Sequence, residues 1–290
     1  MPLEILRDHI NHTNIYLYSQ IRYPKNVIFT VGGSGDFLNG GIQDRNEFNP
    51  KVGVTWTPFA STTLRGAVFK VINRSLVTDQ TIEPTQVAGF NQFYFDDAAT
   101  RSWNYGAAID QRFLKSVYGG AEYLLRDLKA PFIDASNQVQ HTDWKEQLGR
   151  AYLYWTPHKW LGLSAEYQYE RVDREQEAAF GFHQVRTHRF PLGASFYHPS
   201  GLSATLKASY VNQKGTFQPQ GSPAFVSGED EFWTIDASIS YRLPKRFGIL
   251  TVGVKNLFDR SFRYQDIDPE NRSPLFQPKR LVYGKVTLSF

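Results

Sequence analysis

The chain has no cysteine, a single methionine and no long apolar run. Without cysteine there are no disulfides, thiol nucleophiles or cysteine-held metals. No window approaches the ~18–20 apolar residues that a membrane-crossing helix needs. The opening stretch, "MPLEILRDHINHTN", has neither a basic n-region nor an apolar h-region and does not read as a signal peptide. Nucleotide and hydrolase signatures are also missing: there is no P-loop, G-x-G-x-x-G or G-x-S-x-G. The one glycine-rich run, "GGSGD" at 32–36, has no helix after it to give it phosphate-binding meaning and reads as a strand end or loop. The formal charge is only +4, with no basic block beyond "PKR" at 244–246 and 278–280, so no nucleic-acid partner is expected.

Catalytic and metal-binding constellations are equally scarce. The seven histidines are scattered, and His183 and His188, five apart, fall on opposite faces of a strand. No metal site, no cofactor and no enzymatic activity is expected.

What the chain does have is aromatics, 16 Tyr, 22 Phe and 6 Trp against a modest 41% hydrophobic content, and period-two alternation. In "LGLSAEYQYE", Leu161, Leu163, Ala165, Tyr167 and Tyr169 oppose Gly162, Ser164, Glu166, Gln168 and Glu170. "LSATLKASY" sets Leu202, Ala204, Leu206, Ala208 and Tyr210 against Ser203, Thr205, Lys207 and Ser209. "FWTIDASISYRL" and "YGGAEYLLR" repeat the pattern, with Glu122, Leu124 and Arg126 on the second side of the latter. Such segments are strands with one apolar face, and their length suits the ~9–11 residues of a tilted membrane-spanning strand. They predict strands at 11–22, 27–36, 49–57, 63–73, 101–114, 117–128, 143–156, 161–172, 184–198, 202–214, 229–243, 247–258 and 280–290, thirteen in all, or fourteen if 85–97 adds one.

The connections come in two kinds. Short ones (57–62, 114–116, 156–160, 198–201, 243–248) alternate with long polar ones (74–100, 129–142, 173–183, 215–228, 259–279). Tyr167, Tyr169, Tyr210, Trp233 and Tyr241 stand on the apolar side near strand ends, as do Trp56, Trp155 and Phe196 beside short turns. Aromatic margins on an apolar band, with one smooth and one elaborated end, predict an all-β, antiparallel up-and-down transmembrane β-barrel in outer-membrane lipid. The competing expectation is a large soluble β-sandwich or barrel whose core is the apolar face. Asp110, Arg112, Glu122, Arg126, Arg150, Glu166, Lys207, Asp236, Arg242 and Lys285 fall on the polar side. They are the candidate lumen-lining residues, either as a ladder of ion pairs or as selectors of solute. The long loops 74–100 and 259–279 are the natural place for ligand capture.

Three stretches carry a family resemblance. "FNPKVGVTWTPFASTTLRGAVFKVINRS" (48–75), "QTIEPTQVAGFNQFYFD" (80–96), with its Ile-Glu-Pro step, and "TVGVKNLFDRSFRYQD" (251–266) resemble the C-terminal barrel of TonB-dependent receptors. The terminal aromatic Phe290 resembles the signal that the barrel-assembly machinery reads. The stretch 80–131 is also similar to receptor-like barrels attached to tetratricopeptide-repeat proteins. The resemblance implies a bacterial outer-membrane location and uptake of a scarce solute, such as an iron chelate or cobalamin, driven by an inner-membrane energy complex. It leaves open an export or anchoring pore serving a tetratricopeptide-repeat region, and a passive porin.

The family carries a plug domain and about 22 strands. Residues 1–290 hold neither. An odd strand count puts residue 1 on the extracellular side. The expectation is therefore one domain, 1–290, forming the C-terminal portion of a larger barrel, with a plug or tetratricopeptide-repeat region encoded upstream.

Overall fold

The structure, a computed structural model, describes residues 11–39, 44–73, 83–92, 99–134, 136–175, 181–219, 222, 224–265 and 279–288. Its strands are β1 (Asn11–Ile21), β2 (Val27–Asn39), β3 (Arg45–Phe59), β4 (Thr62–Ile72), β5 (Gln86–Val87), β6 (Phe90–Asn91), β7 (Arg101–Leu114), β8 (Val117–Ile133), β9 (Val139–His158), β10 (Leu161–Arg174), β11 (Phe182–Tyr197), β12 (Leu202–Phe217), β13 (Val226–Arg242), β14 (Gly248–Lys255) and β15 (Leu281–Leu288). Thirteen of them form one antiparallel sheet in chain order, with β1 and β15 at its edges. β5 and β6 pair only with each other, as a small hairpin. The protein is all-β, an up-and-down strand array of the transmembrane-barrel kind.

Register and alternation sort the sheet into two faces. One face is apolar and bare. Leu17 is 77% exposed, Val252 65% and Val286 64%, and Leu153, Leu192, Leu206 and Ile239 share their side. A soluble sandwich would cover these residues with a second sheet, but every wall strand among the described residues lies in this single sheet. Bare aliphatic side chains over so wide an area are stable in lipid.

The aromatics edge this face as expected. Tyr167, Phe190, Tyr210 and Trp233, on four successive strands, form a continuous row with ring centroids 4.8, 6.1 and 5.3 Å apart. His188 belongs to the same belt, against Tyr167 and Tyr169. At the short-turn end, Trp160 packs on Phe196 and His198, and Trp56, Trp155 and Tyr241 are partly exposed there.

The short turns are tighter than their sequence suggests. β7 and β8 are joined by two residues, as are β3 and β4. Gly201 turns the chain into β12 at φ +92, and a Cβ there would meet the Arg242 carbonyl at 2.9 Å. An L side chain would be strained and crowded at that position.

The other end departs from expectation. Strand runs into three of the long connections: β8 runs to Ile133 and β9 starts at Val139, where 129–142 is expected as loop. β10, β11, β12 and β13 likewise extend into 173–183 and 215–228. The outward residues here are polar, among them Asp127, Lys129, Asp143, Lys145, Arg171 and Lys214. Above the aromatic row the strands have left the apolar band, so the hydrogen-bond ladder continues while the alternation that marks it vanishes.

Two further corrections concern short segments. "GGSGD" lies inside β2, not at its end: Gly32 sits directly under the Tyr18 ring, where a Cβ would be 2.8 Å from Cδ1. Residues 85–97 are not a fourteenth wall strand, since 86–91 form the β5–β6 hairpin and 93–98 lie outside the described residues.

Candidate functional site

The second face of the sheet is polar, and the register puts all ten sequence-predicted residues on it. Asp110, Glu122, Arg150 and Glu166 are brought together as one ladder, completed by Arg65, which sequence reasoning missed. Arg65 Nε donates to Asp110 Oδ2 at 2.9 Å, and its Nη2 reaches Glu122 Oε2 at 3.3 Å. Arg150 lies 3.9 Å from Glu122 and grips Glu166 with two hydrogen bonds, 3.1 and 2.9 Å. The Tyr154 hydroxyl donates to Glu166 at 2.6 Å, and Tyr152 donates to Asp110. Gln168 and Arg189 continue the ladder to Tyr264, whose hydroxyl takes a hydrogen bond from Arg189 Nη2 at 2.5 Å. Bidentate guanidinium–carboxylate pairs hold geometry as well as charge.

Arg126 is apart from that ladder. It is 4% exposed and pairs with Glu146 at 2.5 Å while donating to Asn104. Asp236 accepts from the Asn256 backbone at 2.8 Å, fixing the turn in which the Asn256 side chain bridges the Arg260 backbone. That turn is the Asn-Leu-Phe-Asp run of the sequence resemblance. Arg112, Lys207, Arg242 and Lys285 are exposed and enter no ion pair among the described residues. Phe290 lies outside the described residues, as does most of 74–100 and 266–278.

The hairpin is the part sequence reasoning did not find. Residues 83–92 fold onto the polar face over β1, β3, β4 and β7. Ala88 and Gly89, at φ 48 and 86, make a two-residue turn with both central residues left-handed. Val87 is wholly buried and Phe90 is 4% exposed, packed with Ala67, Phe69, Val71 and Leu124. Those four are apolar residues on the polar face, and the hairpin is what covers them. The wall is recessed to receive it: a Cβ on Gly53 would lie 2.7 Å from Ala88 Cβ, and one on Gly106 2.6 Å from the Phe90 ring.

At the root of the hairpin, Glu83 and Lys51 form an ion pair at 3.0 Å with side chains 0% and 1% exposed. The Lys51 ammonium also donates to Gln92 Oε1 at 2.7 Å and to the Lys70 carbonyl at 3.1 Å, while Tyr18 donates to Glu83 at 2.5 Å. A buried pair so fully hydrogen-bonded is costly to break from one side, because the survivor stays charged and buried.

Between the hairpin tip and the wall is a cavity of about 230 Å³, lined among others by Asn91, Glu122, Arg150, Gln168, Glu170 and Arg189. Among the described residues no group of His, Asp and Glu is placed to hold a metal ion. His183 packs on Phe225, away from His188.

A sheet with a bare, aromatic-edged apolar face and a charged opposite face defines an outer-membrane barrel wall. The family model described as TonB dependent receptor-like, beta-barrel matches residues 5–257, and the chain belongs to that family. It is therefore a bacterial outer-membrane protein. No curated protein matches the sequence.

Among solved structures, the FrpB iron transporter from Neisseria meningitidis (F5-1 variant, apoprotein form) superposes with TM-score 0.72 at 13% identity, over 98% of this chain and 46% of that one. The outer membrane transporter YddB from Escherichia coli gives 0.66 at 12%, over 97% and 45%. The ferripyoverdine receptor of Pseudomonas aeruginosa, bound to ferripyoverdine, gives 0.63 at 12%, over 97% and 39%. At such identities the likeness is one of fold. The chain spans less than half the length of the solved chains it matches.

Proposed function

We propose that residues 1–290 are the C-terminal wall of an outer-membrane transporter that takes up a solute of the ferric-chelate kind, with the polar face turned to a wet lumen. The observation that carries this reading is the two-faced sheet, in which, below the aromatic row, charge lies on one side and bare aliphatic residues on the other. The family membership and the iron transporters among the solved neighbours support the direction of transport and the class of solute. In this reading Asp110, Arg112, Glu122, Arg126, Arg150, Glu166, Lys207, Asp236, Arg242 and Lys285 line the lumen, and Phe290 is the mark read by the assembly machinery. A plug or repeat region elsewhere in the same polypeptide, and an inner-membrane energy source, are its partners.

The test is uptake of a radiolabelled ferric chelate by iron-starved cells with and without the gene, before and after collapse of the proton-motive force. Gene-dependent uptake abolished by the uncoupler is expected. Steady, uncoupler-resistant diffusion would make the protein a porin, and a secretion defect without an uptake defect would make it an export pore.

A further inference from the structure

We propose that the hairpin 83–92 is a built-in constriction of the passage, which closes the part of the lumen over β1, β3, β4 and β7 to solute. This rests on the reading of the polar face as the lumen wall.

Three independent features show that the hairpin is seated in the wall and is not a loop lying over it. Gly53 and Gly106 lack the Cβ atoms that would strike Ala88 and Phe90. Ala67 on β4, which pairs with both, is itself small. Val87 and Phe90 complete a dry cluster with Phe69, Val71 and Leu124, which a wet lumen would leave exposed. Finally, Glu83 brings a carboxylate to Lys51, whose ammonium has its other hydrogen bonds supplied by Gln92 and the Lys70 carbonyl. Without the hairpin, Lys51 would lose Glu83 and Gln92 together.

The other half of the same face is covered only toward its long-loop end, where Val172 and Val185 are buried and residues 262–265 meet Phe232, Arg189 and Gln213. At its short-turn end the inward residues are mostly short and polar, among them Ser164, Ser195, Thr205, Ser238, Ser240 and Thr251. Small hydroxylic side chains leave room and offer hydrogen bonds that exchange readily with water.

The test exploits the absence of cysteine. Single variants Val87→Cys, Lys207→Cys and Leu206→Cys are made in the protein as the cell produces it, and a membrane-impermeant thiol reagent is applied to outer membranes. Lys207→Cys reacts and Leu206→Cys does not. Val87→Cys reacts more slowly than Lys207→Cys by about tenfold or more, since its exposure requires local opening. Adding Gly53→Leu and Gly106→Leu, which fill the seats, raises the Val87→Cys rate to that of Lys207→Cys and increases entry of a bulky hydrophilic antibiotic into cells. Val87→Cys reacting as fast as Lys207→Cys in the otherwise unaltered wall would overturn the proposal, and this arm needs no seat-filling variant to fold. Released hairpin with unchanged entry would overturn it too. Leu206→Cys reacting in place of Lys207→Cys would instead overturn the assignment of the faces.

Discussion

The polar face has two halves that one alternating pattern encodes alike and that pack differently. On the β1–β9 side, side chains are long, charged and apolar, and nearly all are engaged: Lys51 with Glu83, Arg65 with Asp110, Arg126 with Glu146, Phe69 and Leu124 under the hairpin. On the β10–β15 side the short-turn end is open: there the inward residues are short, and Lys207, Arg242 and Lys285 are exposed without an ion pair among the described residues, while Val172, Val185 and Phe232 are buried farther along the strands. The first half behaves as a protein core that happens to face a lumen. The short-turn end of the second behaves as a wetted surface. The difference teaches that lumen-facing position does not set the energetic weight of a residue; what covers it does.

Single substitutions break the comparison in order of size. Glu83→Ala leaves Lys51 charged and buried and is expected to cost about 3–5 kcal/mol in urea unfolding of the refolded barrel. A loss under 1 kcal/mol would mean the β1–β9 half is as wet as the other. Leu206→Arg, midway between the turn end and the Tyr210 row on the lipid side, is expected to cost about 2–4 kcal/mol. Its neighbour Lys207→Glu, on the open half of the polar face, should change stability by no more than about 0.5 kcal/mol. Equal effects of the two in the same folding assay would show that the faces are exchanged. Trp233→Ala removes one member of the aromatic row and, beyond its share of burial, should cost about 0.5–1.5 kcal/mol. A matched loss on changing Tyr210 alone, with no further loss in the double variant, would show that the two rings act as a pair.

Much of this was legible in the residues. Alternation located all thirteen wall strands and told Leu206 from Lys207, because a strand buried on one side in lipid must repeat every second residue. The same alternation put Asp110, Glu122, Arg150 and Glu166 on one face, but not in one ladder, since adjacency across strands depends on register. It failed where strands leave the bilayer, as at Asp127–Ile133, because the physical demand that creates the pattern ends there. It also missed the hairpin. Val87-Ala88-Gly89-Phe90 lacks the Asn-Gly or Asp-Gly step that announces a two-residue turn, and its strands are only two residues each. Leu124 and Phe69 read as lapses in a polar face, and only their cover explains them.

By itself, then, the amino-acid order determined the strand array, its two faces and its membrane setting, since each depends on residues two apart on one strand. Tertiary structure decided which parts of the polar face are filled. Lys51 and Glu83 are 32 positions apart, and Gly106 meets Phe90 only after β7 has paired with β4. Contacts of that range leave no period in the sequence; they exist only once the register of neighbouring strands has been set.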